Sequence, residues 1–132
     1  MLFVTAADIP VPVEPLTPRA AAHMAAYASV LSAAETTALA ELSANSIGRS
    51  VTVAGERRPA DALRSSEALL DDGTAVIGLQ VASTAPRSLR ESLATRFLLV
   101  NGTVRDHEGE LQVLVEHAGD LRTIAREWHS RR

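Results

Sequence analysis

Residues 97–115 read FLLVNGTVRDHEGELQVLV. From Phe97 to Val104, Leu98, Val100 and Val104 fall on one face of the run, and Leu111, Val113 and Val115 alternate again. A period of two places one face of each run against a core, so the stretch predicts two half-buried strands. Between them the polar residues 105–110, RDHEGE, predict a hairpin loop. Gly102 lies inside the first run, where glycine marks a bulge or a sharp coil.

Upstream, Pro86 breaks the chain and Ser88-Leu89-Arg90-Glu91 has the form of a capping box for a short helix near 88–95. Before it, Glu67 to Leu70 predicts a short strand, Asp71-Asp72-Gly73 a tight turn, and Thr74 to Val81 a second strand. Ala75, Ile77, Leu79 and Val81 share one face of that second strand. Residues 56–66 read as a loop, and Val51 and Val53 begin a first strand that Gly55 allows to bend. Two helices are expected ahead of the strands. Thr17-Pro18 supplies a cap and a first-turn proline for a helix lined by Met24, Tyr27 and Leu31. The box Ser32-Ala33-Ala34-Glu35 would open another, carrying Leu39 and Leu42 and ending at Gly48. Residues 1–17, with Pro10, Pro12 and Pro15, read as an extended tail. Downstream, Gly119-Asp120 leads into a terminal helix in which Leu121, Ile124, Ala125 and Trp128 form an apolar stripe.

Five strands with a helix between the third and fourth is the element order of the OB-fold, a Greek-key barrel. Gly55, Gly78 and Gly102 within strands suit the tight coiling of a small barrel. The expected class is α+β with a mainly β core. The expected organisation is a tail over 1–17, helices over 18–46, and an OB domain with its terminal helix over 47–132.

The segment Ile47-Gly48-Arg49-Ser50-Val51-Thr52-Val53-Ala54-Gly55, preceded by Leu42, resembles the opening of the smallest subunit of replication protein A and of its counterpart in the telomeric CST complex. Asp72-Gly73 before a strand, Leu99-Val100-Asn101-Gly102-Thr103-Val104, and the closing amphipathic helix extend the likeness over roughly residues 40–131. Residues 97–121 also resemble the C-terminal OB module of bacterial DNA polymerase alpha subunits. The helix at 18–31 with its proline-rich leader departs from the small-subunit pattern. The resemblance implies a small subunit of a single-stranded DNA-binding complex, partnered by larger OB-fold subunits through its terminal helix.

Composition narrows the alternatives. There is no cysteine, so disulfides, thiolate nucleophiles and Cys-based zinc sites are excluded. No apolar run reaches the length of a membrane span, and the N-terminal residues lack the basic region of a signal peptide. A nuclear or, in a bacterium, cytoplasmic location is expected. All 13 basic residues are arginine, yet the net charge of −3 argues against coating nucleic acid by bulk electrostatics.

OB-folds hold ligand across strands 2 and 3, between the loops joining strands 1–2 and 4–5. On this chain those loops would carry Arg57, Arg58 and Arg64, and Arg105 and His107. They are the candidate phosphate contacts, although Glu56, Asp61, Asp106 and Glu108 beside them also fit a plain solvated surface. Base stacking needs aromatic rings, and only Phe3, Tyr27, Phe97 and Trp128 exist. Phe97 alone falls in a strand, on the face opposite Leu98, and is expected to pack under a helix. The chain is therefore expected to bind single strands weakly by itself. Leu121, Ile124, Ala125 and Trp128 are the candidate partner-binding residues, with a simple cap on the barrel as the alternative. His23, His107, His117 and His129 show no metal-ligand spacing, and no phosphate loop, dinucleotide fingerprint or nucleophile elbow is present. Neither an enzyme, a cofactor nor a small-molecule substrate is expected. Two rivals remain: a stand-alone single-strand binder, and a protein-interaction adaptor barrel without nucleic acid.

Overall fold

The computed structural model describes residues 19–59 and 66–131. The expected tail, the Thr17-Pro18 helix start and Arg64 lie outside the described residues. The elements are α1 (Arg19–Ala25), α2 (Ala28–Ala33), β1 (Ser50–Pro59), β2 (Ala68–Asp71), β3 (Val76–Gln80), α3 (Arg87–Ser92), β4 (Phe97–His107), β5 (Glu110–Asp120) and α4 (Leu121–Ser130). Two single 3-10 turns, Leu39–Glu41 and Ala44–Ser46, join α2 to β1. The class is α+β.

The five strands close on themselves in the order β1-β2-β3-β5-β4. Neighbours are antiparallel except β3 and β5, which run parallel with Gly78 opposite Gln112. The ring closes because β1 is long enough for two partners. Its residues from Ser50 to Glu56 pair with β4, and those from Glu56 to Pro59 pair with β2. The expected loop over 56–66 is thus shorter, since Glu56 to Pro59 belong to the strand. Charged side chains there misled the reading, because backbone pairing and not apolar alternation holds the end of this strand.

The same correction applies to the hairpin. β4 runs to His107 and β5 starts at Glu110, leaving only Glu108 (φ 54°) and Gly109 (φ 86°) as the connection. Two central residues at positive φ make the turn whose twist matches the flanking strands. β5 also extends past Val115 to Asp120. Asn101 pairs with His117 and Gly102 with Val115, so Glu116 is an extra, bulged residue. The bulge resets the alternation, which lets Ala118 as well as Val115 reach the interior.

The interior holds the expected Val53, Ala75, Ile77, Leu79, Val81, Leu98, Val100, Val104, Leu111, Val113 and Val115, and Leu70 of β2 besides. Leu89 and Leu93 from the α3 region join them. α3 begins after Pro86 without a side-chain cap, so the Ser88–Glu91 box is not made; Glu91 instead pairs with Arg87 at 3.1 Å. Leu39 and Leu42 also reach this core, but not from a helix. The expected second helix does not form: α2 ends at Ala33, and Glu35 sits at φ 56°. Leu39 is held by tertiary contact, its amide donating to Asp72 Oδ2 at 2.8 Å. The expected first helix is also interrupted, between Ala25 and Ala28.

A second apolar cluster lies outside the ring. Ala54, Phe97 and the half-buried Leu99 on the outer face of β1 and β4 meet Met24 and Val30 from α1 and α2, and Leu121 and Ala125 from α4. Phe97 packs beneath the helices, its ring 5.4 Å from His23 and 5.8 Å from Tyr27. No helix among the described residues is long and apolar enough to cross a membrane.

Gly102 tests the closure. A Cβ there would lie 2.3 Å from the carbonyl oxygen of Leu114 on the neighbouring strand. Gly102→Ala is expected to destabilise the protein by about 1–3 kcal/mol, read from urea unfolding. An unchanged unfolding midpoint would mean the β4–β5 pairing is not as close as described.

Candidate nucleic-acid interface

Pairing places one residue from each strand in a row across the outer face. Arg58 on β1 lies opposite Leu69 on β2, Leu69 opposite Gly78 on β3, Gly78 opposite Gln112 on β5, and Gln112 opposite Arg105 on β4. Two of the arginines expected to clamp a ligand therefore stand at the two ends of one row. Four strand spacings separate them, roughly 19 Å along the curved surface. Both are strand residues rather than loop residues, which corrects the expectation drawn from composition.

The middle of the row is not open. Leu69 is 3% and Gln112 1% exposed, although neither belongs to the interior cluster. Gln112 Nε2 donates to Ser66 Oγ at 3.0 Å, and Ser66 lies directly over the bare Cα of Gly78. Arg105 Nε donates to Gln112 Oε1 at 3.1 Å. Arg105 itself is half-buried. His107 is half-buried and lies opposite Glu110, beside this end of the row.

Arg58 is engaged differently. Its Nε and Nη2 each lie 3.3 Å from Asp71 Oδ2, and its Nη2 lies 4.0 Å from Glu56 Oε1. Asp71 is fully buried and also accepts from the Gly73 amide at 2.9 Å. Removing Arg58 would strand that carboxylate, so its first role is structural. Arg57 pairs with Leu70, an interior residue, and so points to the face opposite Arg58. Its Nε is buried with no partner among the described residues.

The group that sequence reading missed is centred on Glu56, 5% exposed on β1. Its Oε1 lies 2.9 Å from Nδ1 of His23 on α1, and its Oε2 accepts from Arg96 Nε at 3.2 Å. Glu56 and Asp71 are direct cross-strand partners, a like-charge pair that needs the intervening cations. Burial pushes the Glu56 carboxyl up, but the bonds from His23 and Arg96 and the charge of Arg58 outweigh it and hold the pKa below the ordinary 4.5. The only sequence signal was charge at alternate positions, Glu56 and Arg58, facing Asp71 across a pairing not visible in one dimension.

The terminal helix starts where expected, with Asp120 Oδ1 accepting from the Arg122 amide at 3.1 Å. Leu121 and Ala125 are buried, and Ile124 and Trp128 half-buried, all in the second apolar cluster. α1 and α2 lie on the same cluster. Among the described residues no group of three or more His, Cys, Asp or Glu could hold a metal ion. Compared with protein-family models, with curated proteins and with solved structures, the chain matches none.

A depressed carboxylate pKa stabilises the fold above its ordinary value, and that contribution is lost as pH falls through the lowered one. The Glu56 contribution should therefore be intact above pH 4.5 and decline below it. Urea midpoints at successive pH values should show a steeper acid loss for the native chain than for Glu56→Gln. Parallel curves for the two would remove this network from the account of stability.

Proposed function

We propose that the closed sheet is an OB-fold and that the chain is the small subunit of a single-stranded nucleic-acid-binding assembly. On this reading it joins larger OB-fold subunits through α4, in the manner of the small subunits of replication protein A and CST. The observation that carries the reading is the ring order β1-β2-β3-β5-β4 with its parallel β3–β5 pair and α3 between β3 and β4.

Two features favour a supporting role over strong direct binding. The cations near the ligand face are engaged within the chain: Arg58 with Asp71, Arg96 with Glu56, and Arg90 with Glu67. Among the described residues the one Phe, Tyr or Trp on a strand, Phe97, is buried under helices and offers no stacking platform. Arg105, with His107 beside it, supplies the backbone contact that remains. No catalytic step, cofactor or membrane contact enters this proposal.

Fluorescence anisotropy with a labelled single-stranded oligonucleotide tests the nucleic-acid half. The isolated chain should bind with a Kd weaker than about 10 μM near physiological salt, with a slope of one or two phosphates. Arg105→Glu should remove that residual binding without loss of fold. Submicromolar binding by the isolated chain would favour the stand-alone reading. Recovery of larger OB-fold chains in stoichiometric amount from nuclease-treated native extract tests the other half, and Trp128→Ala should abolish it while circular dichroism stays unchanged. Unaltered recovery in that variant would remove α4 as the joining element.

A further inference from the structure

We propose that the free edge of β5 accepts residues 9–13 of this chain as a further strand, seated in the cleft between β5 and α3. The inference is independent of how α4 is used.

The edge is open over a defined stretch. β3 pairs with β5 only from Gln112 to Leu114, while β5 runs on to Asp120. Past that pairing, residues 116–119 bond through their backbone to β4 alone among the described residues. Every second residue of a strand turns its N–H and C=O to the edge away from its neighbour, so this stretch presents unused donors and acceptors. α3 stands across from it. A cleft of about 320 Å³ lies between them, lined by Ser88, Leu89 and Ser92 on one side and by Glu116, His117 and Ala118 on the other. Leu89 and Ala118 are half-buried and pack against the interior cluster, so the floor of the cleft is apolar and its rim polar.

The sequence names the occupant. Residues 8–14 read DIPVPVE; they lie outside the described residues and alternate Ile9, Val11 and Val13 with Pro10 and Pro12. A proline biases the residue before it toward extended backbone, so Ile9 and Val11 are set for a strand. In a strand, Ile9, Val11 and Val13 share one edge for their amides and one face for their side chains. Pro10 and Pro12 have no amide to give, and both fall on the opposite edge. A segment so built pairs along one side only and ends a sheet, which is where strands tolerate proline. Its three apolar side chains match the floor at Leu89 and Ala118. The chain also reaches. Ala21 of α1 lies against Gly73, and from Asp71 nearby Glu56 and Phe97 are successive cross-strand partners. Leu98, next along β4, faces Asp120. Those three strand spacings come to roughly 15 Å, and residues 14–18 extend to roughly 20 Å.

Amide exchange followed by NMR on the full labelled chain tests the pairing. Ile9, Val11 and Val13 should exchange at least about tenfold more slowly than Asp8 and Glu14, an alternation that packing without pairing does not produce. Equal rates across 8–14 would overturn the proposal. Disulfide trapping tests the place, in a chain that has no cysteine of its own. Ala118→Cys is combined in turn with Ile9→Cys, Val11→Cys and Val13→Cys and oxidised mildly. One of these pairs should close an intramolecular bond in most of the protein, while Pro10→Cys and Pro12→Cys, on the other face of the segment, should not. A bond joining two chains would give the edge to a second copy, and no bond from any of the three would leave it to another occupant; either result overturns the assignment. Both readouts are indifferent to whether α4 joins a partner.

Discussion

In the closed five-stranded sheet every strand has two neighbours, and β1 meets its two along different stretches, β4 over Ser50 to Glu56 and β2 over Glu56 to Pro59. Glu56 is the residue at which it changes partner, opposite Phe97 on β4 and Asp71 on β2 at once. Its side chain lies on the outer face of the sheet, where His23 of α1 and Arg96 close over it and leave it 5% exposed. A carboxylate in that position, beside a second buried carboxylate, is tolerable only when cations converge on it. Arg58 and Arg96 are those cations, drawn from β1 and from the residue just ahead of β4, and His23 of α1 adds a hydrogen bond at 2.9 Å. The position of α1 on the sheet and the direction of Arg58 both follow from that one crowded point.

The interior was legible in the sequence because a ring with one apolar face per strand writes itself as alternation. Val53, Ile77, Leu79, Leu98, Val100, Leu111 and Val113 were each placed correctly on that ground alone. Strand ends were not legible. Residues 56–58 and 105–107 are charged or polar, yet they are strand, because cross-strand amides fix them where no core is available to do so. The Ser32–Glu35 box was a local signal overruled by a distant one: Asp72 caps the turn that brings Leu39 into the core, 33 residues away in the chain. The arginines were recognisable as candidates, but their partners were not. Whether a cation faces a ligand or a carboxylate of its own chain depends on pairing register, which a single sequence does not print.

That register divides the cations by role. Arg58 neutralises a fully buried acid and its loss would be felt as instability before any loss of binding. Arg105 bonds a neutral amide, Gln112, through Nε and is paired with no carboxylate among the described residues. The two stand in the same row and carry the same charge, yet one is bound to a buried carboxylate and the other to a neutral amide. Residue type alone would have assigned them equal parts.

The outer face of β1 and β4 completes the argument. Sheets bury one face by closing and must cover any apolar patch left on the other. Ala54, Phe97 and Leu99 form such a patch, and two separate segments meet over it: α1 with α2 from before the sheet, α4 from after it. α4 is the more firmly built of the two, with ten residues, a side-chain cap at Asp120 and a continuous stripe. α1 and α2 are short, broken and uncapped at α2, and their hydrogen bond from His23 reaches the same buried Glu56. Where two segments share one apolar patch with such unequal local structure, the shorter is held there by tertiary contact and not by its own helix.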